Sequence, residues 1–152
     1  MNNTPSSSCI AEICVSYKPH ATEMPTIKSS MDAHRVARCF YSEDTIALQE
    51  QFIIIYLNRQ NKVLGVYPLS KGGITSTVAD VRLIISVALK TAAVGVVISH
   101  NHPSGNLQPS TADKDLTQRI KQGCELLDIK LLDHLILTPD GNYLSFCDEE
   151  YL

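Results

Sequence analysis

The sequence predicts a mixed α/β domain, one sheet of parallel and antiparallel strands flanked by helices. Three observations carry this expectation. Gln51–Leu57 (Gln-Phe-Ile-Ile-Ile-Tyr-Leu) is dense in β-branched and aromatic residues, the composition of a buried strand. A polar turn, Asn58-Arg59-Gln60-Asn61, then returns the chain through residues 62–69 as the second arm of a hairpin. Residues 94–99 form another apolar run, set between two segments of helical periodicity. A length of 152 residues fits one domain, and a hydrophobic content of 44% supports a sizeable core.

The remaining elements follow in chain order. Residues 1–8 are polar and expected to be disordered, residues 10–17 alternate loosely and read as a short edge strand, and residues 18–28 carry two prolines and read as an extended arm. Residues 1–27 are therefore an N-terminal arm ahead of a domain over 28–152. Ser29-Ser30-Met31-Asp32 has the spacing of a helix cap, after which Ala33, Val36, Ala37 and Phe40 share one face. Residues 70–77, with Gly72-Gly73, are a loop and a candidate substrate-facing segment. Residues 78–91 read as a mostly buried helix. A further helix starts near Ser110, striped by Leu116, Ile120, Cys124 and Leu127. Residues 131–137 are a strand, Thr138-Pro139-Asp140-Gly141-Asn142 a turn, and residues 143–146 the last strand before the solvated end Asp148-Glu149-Glu150.

Connectivity places residues in space. The hairpin makes strand 51–57 antiparallel to 62–69, and a helical crossover leaves 62–69 and 94–99 parallel if they share a sheet. Strand 94–99 then runs antiparallel to 51–57. Glu50, at the start of one, and His100, at the end of the other, fall on the same sheet edge.

Bulk properties disfavour several classes. The net charge is −3, from 13 basic and 16 acidic residues with no basic block, which disfavours nucleic acid as a partner. The five cysteines (Cys9, Cys14, Cys39, Cys124, Cys147) are odd in number and form no Cys-x-x-Cys, as expected of reduced thiols. The polar, uncharged N-terminus is unlike a signal peptide, and no apolar run reaches the ~18 residues of a membrane helix. The expected location is the cytoplasm.

Chemistry concentrates in residues 99–113, Ser-His-Asn-His-Pro-Ser-Gly-Asn-Leu-Gln-Pro-Ser-Thr-Ala-Asp. His100 and His102, at i and i+2, point the same way on extended backbone. Asp113, one turn into the next helix, is the candidate third ligand. Two histidines and a carboxylate suit zinc, or less specifically another divalent metal, with one position open for a water whose pKa would fall to about 7. Glu50 is the candidate general acid and base, and Ser110 a candidate donor to an oxyanion. Taken singly these signals are ordinary: Ser29 to Asp32 repeats the Ser-x-x-Asp spacing with no His-x-His beside it, so Ser110 and Asp113 also read as a helix cap. His134, mid-strand, reads as a hydrogen-bonded core histidine or a support to the site rather than a ligand. His20 and His34 read as solvated, and Asn101 and Ser104 as lining the pocket or shaping the turn.

The combination is specific. His100-x-His102-Pro103, seven residues from Pro103 to Pro109, then Ser110-x-x-Asp113, resembles the Jab/MPN (JAMM) metalloprotease signature at every motif position. His100-Asn101-His102-Pro103-Ser104-Gly105-Asn106, with Leu132-Asp133-His134, looks like the RadC branch, whose upstream glutamate precedes a strand as Glu-x-Phe, here Glu50-Gln51-Phe52. The resemblance covers nearly all of the expected domain. It implies a mixed sheet similar to the cytidine-deaminase layout and one zinc ion per chain on His100, His102 and Asp113. It also implies Glu50 as acid/base, Ser110 as oxyanion helper, and hydrolysis of a peptide or isopeptide substrate. Two alternatives stay open. One is a DNA-associated repair factor or metal-dependent nuclease; against it stand the charge and the short stretch ahead of the domain, which leaves no room for the helix-hairpin-helix region of many RadC proteins. The other is a non-catalytic MPN scaffold, a class that usually lacks the ligands present here.

Overall fold

The computed structural model describes residues 13–19, 23–72 and 79–152. Its elements are α1 (Ser30–Arg38), β1 (Gln51–Leu57), β2 (Val63–Lys71), α2 (Val81–Thr91), β3 (Gly95–Asn101), α3 (Thr111–Glu125), β4 (Lys130–Leu137) and β5 (Tyr143–Ser145). The strands form one sheet in the order β2-β1-β3-β4-β5. β1 is antiparallel to both β2 and β3, β3 is parallel to β4, and β4 is antiparallel to β5. β2 and β3 are therefore parallel within one sheet, as the connectivity requires, and Phe52 pairs with His100.

Strand alternation builds two cores. Ile53, Ile55, Leu57, Val97, Leu135 and Leu137 face α1 through Ala33 and Ala37. Phe52, Ile54, Tyr56, Val96 and Ile98 face α2 and α3 through Ile84, Ala88, Ile120 and Cys124. A sheet covered on both faces explains why β1 is buried at every residue and reads as a continuous apolar run rather than an alternating one.

Several expectations are corrected. The edge strand over 10–17 is absent from its described part: residues 13–17 have no strand partner, and Ile13 and Val15 are exposed, so their alternation meets no apolar surface. Residues 10–12, like Cys9 and His20, lie outside the described residues. Beside the arm, Thr26 makes a single bridge to Lys62, and the Tyr17 hydroxyl donates to the Leu64 carbonyl. Ser70 and Lys71 are not loop residues but extend β2 by pairing with Phe52 and Gln51; residues 73–77 lie outside the described residues. α2 starts at Val81, capped by the Asp80 carboxylate on the Arg82 N–H, and only Ile84 and Ala88 of its stripe are fully buried. β3 runs on to Asn101, which takes His100 into the sheet. Phe40 and Leu127 fall beyond their helices and are exposed.

Candidate metal centre

β3 delivers His100 on the face shared with α2 and α3, beside Phe52, whose ring lies parallel to the His100 imidazole at 5.9 Å. The chain leaves the strand still extended, because the His102 N–H donates to the Leu137 carbonyl (2.8 Å), so His102 follows His100 to the same side. A turn through Gly105, at φ +80°, then redirects the chain to α3. Ser110 caps α3: its hydroxyl oxygen accepts from the Asp113 N–H (3.1 Å), and the Asp113 carboxylate accepts from the Ser110 N–H (2.7 Å). The capping box thereby brings the Asp113 side chain back over the loop and onto the histidines.

The ligand atoms converge. His100 Nε2 lies 3.0 Å from His102 Nε2 and 3.2 Å from Asp113 Oδ1, and His102 Nε2 lies 3.6 Å from Asp113 Oδ2. Donors about 2.0–2.1 Å from one tetrahedral ion stand roughly 3.3 Å apart, which these separations bracket.

The hydrogen-bond network fixes which ring atoms carry protons. His102 Nδ1 faces the Asn106 carbonyl at 2.5 Å, and a carbonyl only accepts, so Nδ1 carries hydrogen and the neutral ring's Nε2 is a lone pair. The Thr117 hydroxyl donates to the Asp113 carbonyl at 2.6 Å, which leaves its oxygen to accept from His134 Nδ1, also at 2.6 Å. His134 Nε2 must then accept from His100 Nδ1, at 2.8 Å, and His100 Nε2 is a second lone pair. Ser110 donates to Asp113 Oδ2 through both N–H and O–H, leaving Oδ1 free toward His100. Two lone pairs and a carboxylate oxygen facing one another repel unless a cation sits among them. The donor set of neutral imidazoles and a carboxylate suits a borderline divalent ion, and His100, His102 and Asp113 form a group able to hold one.

A family model described as "RadC-like JAB domain" matches residues 27–151. The chain belongs to this family. It is similar to three proteins named UPF0758. That from Flavobacterium johnsoniae is 45% identical over 84% of this chain and 54% of its own length. That from Porphyromonas gingivalis is 41% identical over 86% and 57%, and that from Streptococcus sanguinis 38% identical over 78% and 52%. The chain spans about half the length of these curated relatives.

Within this RadC-like domain, protonation states follow from contacts. Burial raises the pKa of Asp113, but the neighbouring His100 and His102 imidazoles and the Ser110 hydroxyl outweigh it and hold the carboxyl well below the usual carboxylate range. Burial lowers the pKa of His102, yet Asp113, the Asn106 carbonyl and the charge of Glu50 outweigh it, and the net shift is upward. His134 is wholly buried and its pKa falls well below the usual histidine value, so the ring is neutral, as the tautomer chain requires.

Of the residues singled out in the sequence, His100, His102, Asp113 and Ser110 come together directly. Glu50 is half-buried one residue ahead of β1, on the same sheet edge, close enough for its charge to act on His102. The Ser110 O–H is already committed to Asp113. His134 supports His100 and is not a ligand. Asn101 does not line the centre but points to the opposite face of the sheet, to Ile46, Gln49 and Gln51. His34 is not solvated: both ring nitrogens are closed from solvent and the ring stacks on Tyr143 at 4.3 Å. Thr117 went unread in the sequence, and its signal was its place one turn beyond Asp113, on the same helix face.

Among the described residues no helix is long and apolar enough to cross a membrane.

Proposed function

We propose that this RadC-like domain is a zinc-dependent hydrolase of peptide or isopeptide bonds, acting in the cytoplasm. The observation that carries the reading is the enforced convergence of His100 Nε2, His102 Nε2 and Asp113 Oδ1, each with its other polar atoms tied down elsewhere. Such a donor arrangement is costly to maintain without a cation. A zinc ion held by His100, His102 and Asp113 would supply Lewis acidity and would lower the pKa of the attacking water to about 7. Glu50 accepts the proton of the attacking water and passes it to the leaving amine nitrogen, a role suited to a half-buried carboxylate at the rim of the centre. Ser110 donates to the carbonyl oxygen as it gains charge, which requires its O–H to turn from Asp113 toward the substrate.

Elemental analysis of purified protein tests the centre: about one zinc per chain is expected, lost in the His100→Ala/His102→Ala double variant. A screen against peptide and isopeptide libraries tests the chemistry. Glu50→Gln is expected to keep its metal and lose about 10²–10⁴-fold in hydrolysis. Wild-type protein that takes up no zinc, or a Glu50→Gln variant as active as wild type, overturns the proposal.

A further inference from the structure

His100 and His102 flank a residue that faces away from them. Asn101 is fully buried, on the α1 side of the sheet. Its amide has three hydrogen-bonding positions in use, and all go to one stretch of backbone. Oδ1 accepts from the Gln51 N–H (2.7 Å), while Nδ2 donates to the carbonyls of Ile46 (2.7 Å) and Gln49 (3.0 Å). The Gln49 carbonyl belongs to the peptide group entering Glu50, and the Gln51 N–H to the one leaving it. The Glu50 carbonyl, in turn, accepts from the Gly72 N–H at 2.9 Å. Both peptide planes beside the Glu50 Cα are thus tied down, one of them on two sides.

The segment so held is irregular. Residues 43–48 form turns, closed by backbone hydrogen bonds to the Ser42 and Thr45 carbonyls, rather than a strand or helix. Ile46 is buried, but Leu48 is exposed. Asn101 reaches across a sequence separation of about fifty residues to hold this segment, from a backbone position rigidly shared with both metal-binding histidines. A side chain alternating with His100 on one strand is a short, stiff link between the metal centre and Glu50.

We propose that Asn101 is the positioning residue of the centre. Its amide, with the Gly72 N–H opposite, locks the Glu50 backbone to the strand that carries His100 and His102, and so sets the reach of the Glu50 carboxylate toward the metal. The inference rests on Glu50 acting at that centre, and its test separates the two claims.

Cobalt(II) is the probe, loaded into the full chain, with the pH midpoint of its visible spectrum as readout. Glu50→Gln is expected to shift that midpoint while binding cobalt normally. Asn101→Leu, uncharged and of similar shape, is expected to keep cobalt affinity within about threefold, unlike the loss of a residue that supports a ligand. It should move the midpoint by about half a pH unit or more, in the direction of Glu50→Gln. Tyr41→Phe, which removes a buried hydrogen bond to Ser99 on the same sheet face, is the structural control and should leave the midpoint in place. A normal midpoint in Asn101→Leu beside a shifted one in Glu50→Gln overturns the positioning role and leaves the acid/base role standing. An unshifted Glu50→Gln overturns the acid/base role and this inference with it. Loss of cobalt binding in Asn101→Leu overturns the inference, because Asn101 would then act on the histidines. If Asn101→Leu does not fold, Gly72→Pro, which deletes the other hold on Glu50, decides by the same readout.

Discussion

Two backbone carbonyls, those of Asn106 and Asp113, aim the two imidazoles. Because a carbonyl cannot donate, each ends a hydrogen-bond chain and fixes every proton back to a histidine Nε2. Thr117 is the link most open to test. Thr117→Val keeps the shape but removes the hydroxyl that accepts from His134 and donates to Asp113. Zinc affinity should fall about 10–100-fold in competition with a chromogenic chelator. An unchanged affinity would show that the chain from Asp113 does not aim His100. His34 makes a separate case. Its pKa is lowered by burial first and by Arg38 and Arg35 second, and its ring nitrogens have no hydrogen-bond partner among the described residues. The unfolded chain binds a proton at this histidine near pH 6.5, the folded chain only at lower pH, so between those values the unfolded state holds more protons. This contribution to stability is present above that window and declines as pH falls below about 6.5. His34→Phe, which retains the stack on Tyr143, should raise the urea midpoint of the metal-free protein more at pH 5 than at pH 7. An equal shift at both would rule out the titration.

At the scale of elements, the start of α3 serves the helix and the centre with one set of atoms. The Asp113 carboxylate closes the capping box through Oδ2 and offers Oδ1 to the metal-facing side. The cap at Ser29 has the same spacing, and there the Asp32 carboxylate accepts from the Lys28 N–H, so only the α3 cap meets histidines. Ser110→Ala should destabilise the metal-free protein by about 1 kcal/mol in urea denaturation, and should also weaken zinc binding, since Asp113 Oδ2 loses its O–H donor. Loss of stability with zinc affinity intact would separate cap from centre. The sheet elements were legible because each has a strong local pattern: β1 matches its expected bounds, and β4 and β5 differ from theirs by one residue each. The failures share a cause. Residues 13–17, the described part of the expected edge strand, pair with no strand and leave Ile13 and Val15 exposed, and residues 70–71 look like loop but complete β2 because β1 offers partners. Strand formation depends on the neighbour as well as on the segment.

For the whole molecule, the fold is expected to stand without the ion. The histidines and Asp113 are held by strand pairing, a helix cap and hydrogen bonds rather than by coordination alone. Chelation should leave the far-UV circular dichroism unchanged, while free zinc at 100 times its Kd adds about 2.7 kcal/mol to unfolding stability. His100→Ala/His102→Ala should abolish that increment; unfolding on chelation would instead make the metal a folding requirement. The same division separates what was readable from what was not. The sequence by itself determined the order of strands and helices, the His-x-His and Ser-x-x-Asp spacing, and the sheet edge shared by Glu50 and His100. Those follow from periods of two and 3.6 residues and from the rules of hairpins and crossovers. Tertiary structure decided the tautomers of His100 and His102, the support from His134 and Thr117, the direction of Asn101 and the burial of His34. Most of those bonds and contacts join residues 17 to 109 positions apart. No local pattern encodes such a partner, because it exists only once the packed sheet and helices bring two distant side chains within hydrogen-bonding or stacking reach.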